Sequence, residues 1–468
     1  MTSPTRTARL QAEDRRYLWH PFTQQREWEQ EPPLIIERGR GVYLEDTDGR
    51  RYLDGVSSLW VNLHGHRKRE LDRALITQLK KIAHSTLLGL ANVPSIELAR
   101  RLVTLAPRGL TRVFYSDDGS TAVEVALKMA YQYWQLRGGA FRSKKSFLHL
   151  GQAYHGDTLG AVSVGGIPLF HERFAPLLFP AYEAHAPYCY RCPLDLTYPQ
   201  CRVACVDAVR DVLTRHHQDI AALIVEPMLL AARGMITMPP GYLSTLRRLC
   251  TRYHVLLIAD EVATGFGRTG RMFACEHEGV KPDLMAISKG LTGGYLQLAA
   301  TLTTEGMYRA FLGRYEEFKT FFHGHSYTGN PLACAVALAN LNIFARERTV
   351  QKLGPKITAL RRLLRPLAKH PHVGDIRQLG FIVGIELVRD RETKAPYPLT
   401  ERIGTRVAAE ARRLGLLIRP LGNVIVLMPP LSTTVQELRR MVRIVATAIG
   451  TVLTPRSEAY GQLRRTPP

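Results

Sequence analysis

The hydrophobic positions along the chain form short apolar runs that alternate with stretches of helical spacing, and this alternation predicts an α/β protein. Between residues 110 and 300, short apolar runs such as IAALIVEP and VLLIADEV are separated by stretches with helical spacing. Such alternation is typical of a mostly parallel sheet covered by helices. In RELDRALITQLKKIAH, apolar residues recur every three or four positions from Leu71 to Ile82. This spacing predicts an amphipathic helix with one apolar face.

The two ends of the chain predict a second, smaller domain. The segment GVYLEDTDGRRYLDGVSS predicts two strands around an Asp48-Gly49 turn, and strands are also predicted in GDIRQLGFIVGIELVRD and NVIVLMPP. We expect the early hairpin to join the C-terminal lobe, which an amphipathic helix from Val435 to Ile449 closes. The predicted organisation is a small-domain segment (1–65), a large domain (66–340), the rest of the small domain (341–455) and a flexible tail (456–468).

Composition narrows the class of protein. The 468 residues are 45% hydrophobic and 22% charged, which is ordinary for a globular protein and excludes collagen-like, coiled-coil and disordered chains. No apolar run reaches the length of about 20 residues that a membrane-spanning helix needs, and the N-terminus has no apolar signal segment. We therefore predict a cytoplasmic protein with no membrane partner.

The net charge of +22 raises the possibility of a nucleic-acid partner. Binding to nucleic acid requires the basic residues to be clustered, whereas here they are spread over helical stretches with acidic residues among them. We therefore predict a basic surface that favours anionic substrates and no nucleic-acid partner. A non-catalytic, nucleic-acid-binding or regulatory protein on the same fold is the alternative.

Four cysteines stand close together in the sequence. Cys189 and Cys192 form a CxxC pair, and Cys201 and Cys205 form a CxxxC pair shortly afterwards. Four thiolates at such spacing can form a tetrahedral zinc site. The alternative is a local insertion with free thiols, and the sequence alone assigns no metal here.

Three ionisable residues follow predicted strands. Glu226 follows AALIV, Asp260 ends VLLIAD, and Lys289 follows DLMAIS. In open α/β sheets, ligands bind at the carboxyl ends of the strands. An amine and a carboxylate in one crevice meet two needs of pyridoxal phosphate, whose aldehyde binds an amine and whose ring nitrogen is held protonated by an acid.

Anion-binding groups are also present. The segment FYSDDGSTAVEVALKMAYQYW passes from a strand through Gly119 and Ser120 into a helix, and a helix start of this kind suits a phosphate. HGHSYTGNP supplies Ser326, which can complete a phosphate site, including from a partner subunit. Tyr154 lies in a glycine-flanked loop and can stack on a pyridine ring.

In this order, six motifs resemble those of class III, fold-type I aminotransferases: DDGSTAVEVALKMA, AYHGDTLGA, IVEP, LIADEVATGFGRTG, ISKGLTGG and HSYTGNPLACA. The similarity covers nearly the whole chain. The resemblance implies a large domain with a mostly parallel seven-stranded sheet, a smaller α+β domain made from both chain ends, a pyridoxal 5'-phosphate cofactor and a homodimer.

The resemblance also implies roles for individual residues. Lys289 would bind the cofactor aldehyde and move the proton, Asp260 would pair with the ring nitrogen, and Tyr154 would stack on the ring or near it. The remaining cofactor-binding residues implied are Gly119, Ser120, His325 and Ser326. The substrate-binding residues implied are Phe22, Trp60, Tyr154, Gly324 and Arg419, of which Arg419 would bind a carboxylate. Glu226 and Arg268 lie in matching motifs and are given supporting roles.

Within the family, WHPFTQ, DGVSSLWVNLHGH and LIRPLGNVIVLMPP resemble members that aminate 8-amino-7-oxononanoate for biotin synthesis. Members that use S-adenosylmethionine commonly have Tyr where this chain has Phe22 and paired Trp where it has Leu59-Trp60. These differences leave the donor open between S-adenosylmethionine and lysine. A sister transaminase for 4-aminobutyrate or ornithine is the alternative within the family.

Overall fold

The structure is a computed structural model that describes residues 5–453 of the chain. The predicted tail, residues 456–468, therefore lies outside the described residues. The strands are β1 (Ile36–Arg40), β2 (Tyr43–Asp46), β3 (Arg51–Asp54), β4 (Leu110–Ser116), β5 (Ser146–Leu150), β6 (Tyr182–Ala184), β7 (Ile220–Val225), β8 (Leu229–Leu230), β9 (Ile236–Thr237), β10 (Leu256–Asp260), β11 (Leu284–Ile287), β12 (Ala299–Thr304), β13 (Val373–Leu379), β14 (Ile382–Leu387), β15 (Leu416–Leu417), β16 (Arg419–Leu421) and β17 (Val424–Leu427).

Helices precede, separate and follow these strands. They are α1 (Arg6–Tyr17), α2 (Gln25–Gln30), α3 (Ser57–Trp60), α4 (Arg69–Leu79), α5 (Val93–Leu105), α6 (Gly119–Arg137), α7 (Leu159–Ser163), α8 (Pro168–His171), α9 (Asp207–His216), α10 (Tyr242–Arg252), α11 (Glu305–Ala310), α12 (Pro331–Glu347), α13 (Leu353–Leu364), α14 (Ile403–Arg413) and α15 (Val435–Leu453). Within residues 5–453, no helix combines the length and the apolar character that crossing a bilayer requires.

The central sheet has seven strands in the order β4-β12-β11-β10-β7-β5-β6. The strands from β11 to β6 are parallel to their neighbours, while β12 is antiparallel to both β11 and β4. Every residue of β7 and β10 is buried, as expected for strands covered on both faces. The prediction of a mostly parallel, seven-stranded α/β sheet is therefore confirmed.

Two four-stranded sheets lie outside the central one. The first has the order β1-β2-β3-β15, so that a C-terminal strand pairs in parallel with the N-terminal hairpin, and the second has the order β13-β14-β17-β16. The predicted turn is present, with Gly49 at a φ of 78° and Asp46 accepting hydrogen bonds from the amides of Asp48 and Arg50. The early hairpin thus pairs with a strand of the C-terminal part of the chain, while its membership of a smaller domain and the numerical domain boundaries stay predictions.

Two predicted helices differ in how they pack. In α15, Leu438, Val442 and Ile449 are buried, which confirms the predicted apolar face. In α4, by contrast, the helix ends at Leu79, and the face predicted to be apolar is not fully covered: Leu79 is 57% and Ile82 47% exposed. Sequence periodicity identifies an apolar face but not the surface that covers it.

Candidate active site

The carboxyl ends of three neighbouring strands open into one cavity of about 450 Å³. Strand β10 ends at Asp260, β7 is followed by Glu226, and β11 is followed by Ser288 and Lys289. All four residues line the cavity. The sheet topology therefore brings together the amine and the carboxylates that the sequence spaces far apart, at the edge where α/β sheets bind ligands.

Lys289 begins the short turn that follows β11. Its φ of 42° lies in the left-handed region, which a side chain other than glycine rarely adopts and which is frequent at functional sites. Its Nζ atom is 5.5 Å from the centre of the Trp60 ring. Burial lowers the pKa of Lys289, and the charges of Asp260 and Glu226 oppose this in part. The environment therefore favours a neutral, nucleophilic amine more than water does.

The turn that carries Lys289 is held by a buried residue of α12. Asn340 Nδ2 donates hydrogen bonds to the carbonyls of Gly290 (2.9 Å) and Leu291 (2.8 Å). Its Oδ1 atom, 2.8 Å from His64 Nε2, accepts the hydrogen bond from that ring. Sequence analysis missed both residues, since nothing local marks a buried Asn on an apolar helix as a contact of a distant turn.

Asp260 is buried and has two hydrogen-bond partners. Its Oδ2 atom is 2.7 Å from His155 Nδ1, and its Oδ1 atom accepts from the amide of Val262 at 3.1 Å. The His155 ring is buried, and its Nε2 atom has no hydrogen-bond partner among residues 5–453. His155 was also missed, although its place directly after Tyr154 in AYHG was a usable signal. These contacts hold the carboxylate in one orientation within the cavity.

Glu226 links two cavity segments through their backbones. It accepts hydrogen bonds from the amides of Tyr154 (3.1 Å) and Ala231 (2.9 Å). Burial raises the pKa of Glu226 to about 7. Arg268 is likewise buried and structural, because its guanidinium donates to the carbonyls of Pro429 (2.7 Å) and Asn62 (2.9 Å). Both residues therefore support the site by fixing backbone segments around it.

The start of α6 forms another wall of the cavity. Gly119 and Ser120 line it, and their amides lie in the first helical turn, where backbone N–H groups lack helical acceptors. Asp118 caps the helix by accepting from the amide of Thr121 at 3.0 Å. A Cβ at Gly156 would lie 2.2 Å from Ser120 Oγ. Only glycine at position 156 lets the Tyr154 loop approach the helix start this closely.

Predicted substrate-side residues gather beside this cavity. Trp60 and Tyr154 line it directly. The Phe170 ring lies 6.3 Å from the Tyr154 ring and 5.4 Å from the Phe22 ring. The Arg419 guanidinium, on β16, is 5.8 Å from the centre of the Phe22 ring. A series of ring contacts therefore connects Tyr154, on the cavity wall, through Phe170 and Phe22 to the Arg419 guanidinium.

Five predicted residues do not line the cavity of the same chain: Phe22 and Arg419, which lie beyond Phe170, and Gly324, His325 and Ser326. Gly324 and Ser326 are exposed, and the Ser326 carbonyl accepts a hydrogen bond from His84 Nε2 at 2.8 Å. His325 Nδ1 is 3.6 Å from an oxygen of Asp117, a residue of the cavity rim. Within one chain, the segment 324–326 therefore approaches the rim only through His325.

Comparison with known proteins identifies the family. The family described as aminotransferase class-III matches residues 24–449. This chain belongs to the class III aminotransferases. Members of this family depend on pyridoxal phosphate, and the presence of Lys289, Asp260 and the α6 start around one cavity fits that cofactor. The resemblance predicted from the six motifs is confirmed.

Curated class III relatives are similar over almost the whole chain. Proteins named adenosylmethionine-8-amino-7-oxononanoate aminotransferase are 56% identical in Nitratidesulfovibrio vulgaris, covering 95% of this chain and 82% of the relative, and 53% identical in Geobacter sulfurreducens, covering 95% and 98%. These identities are high enough to place the chain in the family without reference to the structure.

Solved class III structures share the fold. The enzyme of that same name from Methanocaldococcus jannaschii has a TM-score of 0.91 at 47% identity, and covers 95% of this chain and 99% of that one. An (S)-enantioselective ω-transaminase from Thermomicrobium roseum has the same TM-score at 36% identity, with the same coverage. The fold alone therefore does not separate the two kinds of transaminase.

Proposed function

We propose that this class III aminotransferase converts 8-amino-7-oxononanoate to 7,8-diaminononanoate in biotin biosynthesis. The observation that carries the proposal is the meeting of Lys289 and Asp260 in one cavity, with Trp60 on its wall and Arg419 along the adjoining surface. The names of the relatives at 53–56% identity supply the substrate. We further propose a cytoplasmic location.

Pyridoxal phosphate, when bound, supplies an aldehyde that links covalently to amines and a cationic ring that stabilises negative charge on the adjacent carbon. We assign the amine to Lys289 Nζ, whose neutral form is favoured by burial. The same atom is then suited to move the proton at the substrate carbon. Asp260, held by His155, would keep the ring nitrogen protonated. Gly119 and Ser120 would bind the phosphate at the positive end of α6.

The substrate end is assigned to the aromatic surface beside the cavity. Arg419 would bind the substrate carboxylate through paired hydrogen bonds, for which a guanidinium is better shaped than an ammonium. Trp60, Tyr154 and Phe22 would contact the aliphatic chain and exclude water. This arrangement would place the carboxylate away from the reacting carbon, as required for a long oxo-acid whose reactive group is near its other end.

We propose that a second copy of the chain completes the site. The segment 76–96 exposes a run of large apolar side chains, namely Ile76, Leu79, Ile82, Leu88, Leu90, Val93 and Ile96. The same segment contacts residues 326–329, through His84 to Ser326 and through Asn92 Nδ2 to the Gly329 carbonyl at 3.0 Å. Burial of this apolar surface in a homodimer would bring Gly324 and Ser326 to the partner's cavity.

The amino donor is proposed to be S-adenosylmethionine, because the similar curated proteins carry that donor in their names. Phe22 can stack on an adenine ring, although it has no hydroxyl to donate a hydrogen bond. Lysine is the competing donor. The two donors are distinguished by half-reactions, in which each donor alone is mixed with the holoenzyme.

The test measures the change in cofactor absorbance that marks conversion to pyridoxamine phosphate. We expect conversion with S-adenosylmethionine and, after 8-amino-7-oxononanoate is added, return of the original spectrum. Conversion by lysine alone would overturn the donor assignment but not the acceptor. The variant Lys289→Ala should convert with neither donor. Lys281→Ala, at an exposed lysine nearby, should behave like the wild type.

The second candidate is an ω-transaminase, because the Thermomicrobium roseum ω-transaminase and the Methanocaldococcus jannaschii enzyme have equal TM-scores and the fold does not distinguish them. A competition assay decides between the two. If 4-aminobutyrate is consumed faster than both S-adenosylmethionine and lysine, and 8-amino-7-oxononanoate does not accept the amino group, the proposed function is wrong.

A further inference from the structure

Four cysteines of an irregular loop line one small cavity, away from the active site. The cysteine loop comprises residues 188–206, whose only regular structure is two short 3-10 turns, Cys189–Arg191 and Ala204–Val206. The cavity that it encloses has a volume of about 20 Å³, and its wall includes all four cysteines, which are Cys189, Cys192, Cys201 and Cys205. The fold therefore brings a CxxC pair and a CxxxC pair to the wall of one cavity.

The cavity has the size of a single small occupant. A volume of about 10–15 Å³ is the minimum that holds one water molecule, so 20 Å³ accommodates one ion and little else. No disulfide links these cysteines, which all have free thiols. Four free thiols therefore share the wall of one cavity that holds a single small occupant.

We propose that the cysteine loop binds one zinc ion through Cys189, Cys192, Cys201 and Cys205. The chemistry of the donors selects the metal, because four thiolates in a tetrahedron suit Zn²⁺ and are poor ligands for the hard cations Mg²⁺ and Ca²⁺. Pairs separated by two to four residues are the common arrangement of ligands in structural zinc sites.

Zinc binding requires the thiols to turn towards one point. Within residues 5–453, no three His, Cys, Asp or Glu side chains are already placed as metal ligands. Rotation about a Cα–Cβ bond moves a cysteine sulfur while the backbone stays in place, and the final Zn–S distance is about 2.3 Å. Four Zn–S bonds form, four S–H bonds break, and the four protons pass to solvent. No electron is transferred.

The site would hold the cysteine loop against the C-terminal lobe. Arg191 Nε donates to Glu386 Oε1 of β14 at 2.7 Å, and the Tyr188 hydroxyl bonds the other oxygen of Glu386. Lys394 Nζ donates to the Tyr190 carbonyl at 2.8 Å. The residues that make these contacts flank or lie between Cys189 and Cys192. Fixing that pair therefore fixes the contacts between the two lobes, and a structural rather than catalytic role follows.

The experiment measures metal content in the full-length holoenzyme purified without chelator. We expect a zinc-to-chain ratio near one for the wild type and near zero for Cys192→Ser and Cys201→Ser, with cofactor absorbance retained. Cys192→His should keep the zinc, since imidazole also ligates it. Cys250→Ala, at a buried cysteine outside the loop, is the matched control and should also keep it.

Cobalt gives a second readout that does not depend on variant folding. After the zinc is removed by chelation, added Co²⁺ should produce the thiolate charge-transfer and d–d bands of a tetrahedral site, and added Zn²⁺ should abolish them. Wild-type protein that contains no zinc and gives no cobalt bands overturns the proposal. The proposal would also be overturned if the thiols of the cysteine loop could not be titrated in wild-type protein that contains no metal, because that result would indicate disulfides. Either result leaves the proposed transaminase activity untouched.

Discussion

At the residue scale, the candidate site depends on the neighbours of its ionisable groups. Asp260 has to remain a carboxylate and stay in one place. The His155 ring, itself buried, provides the contact to Oδ2 at 2.7 Å. A buried charge is costly unless it is hydrogen-bonded, so His155 both orients and stabilises the acid. We therefore regard His155 as a positioning residue for Asp260.

Replacement of His155 tests this role. His155→Leu removes the hydrogen bond to a charged group, worth about 1.5–3 kcal/mol, and kcat should fall roughly 10–150-fold. His155→Asn retains a donor and should recover part of the loss. The assay compares kcat, KM and cofactor absorbance for both variants. Equal kcat in His155→Leu and the wild type would show that Asp260 does not need this contact.

At the element scale, the turn that carries Lys289 is anchored from two other parts of the chain. Asn340 on α12 holds the carbonyls of Gly290 and Leu291, and His64, from the segment after α3, holds Asn340. Burial lowers the pKa of His64 to about 4. The folded protein therefore contains this imidazole in its neutral form over a pH range in which the unfolded chain protonates it.

The stability of the protein should consequently fall in acid. The unfolded His64 binds a proton below a pKa of 6.5, whereas the folded one does so only below about 4. Its contribution to stability is full above pH 6.5 and is lost as the pH falls from 6.5 to 4, by on the order of 3 kcal/mol. In urea unfolding at several pH values, His64→Gln should show a smaller decrease over that range. An unchanged pH dependence would contradict the neutral, buried state of His64.

At the scale of the whole molecule, one chain holds only part of the proposed site. Lys289 and Asp260 line the cavity, while Ser326 is exposed and lies beside the apolar segment 76–96. If the partner supplies Ser326, mutations in different chains can complement each other. Such complementation is a property of the dimer and not of any one residue.

Mixed dimers provide the test. Lys289→Ala abolishes the amine, and Ser326→Asp places a negative charge beside the phosphate, so each variant alone should be inactive or strongly impaired. Co-expressed, they should form some dimers in which one site has Lys289 from one chain and Ser326 from the other. Activity should then recover to a measurable fraction of the wild type. No recovery in purified mixed dimers would place Ser326 in its own chain's site.

The sequence predicted the parts of the site that lie next to recognisable strand ends and motifs. Asp260 and Lys289 follow apolar strands, and the α6 start follows a strand and a glycine, so that their convergence follows from α/β topology. His64 and Asn340 could not be found in this way, because they meet through tertiary contacts between distant segments. His155 could have been found from its place next to Tyr154. The exposure of the apolar face of α4 could not have been predicted, because the helical period of a sequence does not specify which surface packs on that face.

The pairing of Leu416 with Leu53 has a consequence for biosynthesis. While the ribosome is still making the protein, the hairpin of β2 and β3 lacks its parallel neighbour until β15, which lies far from it along the chain, has also been synthesised. Trp60, which follows that hairpin and lines the candidate cavity, belongs to one buried cluster with Val424, Val426 and Met428 of the C-terminal part of the chain. Contacts between such distant segments form slowly. A truncated nascent chain should thus leave this wall of the cavity without its C-terminal support.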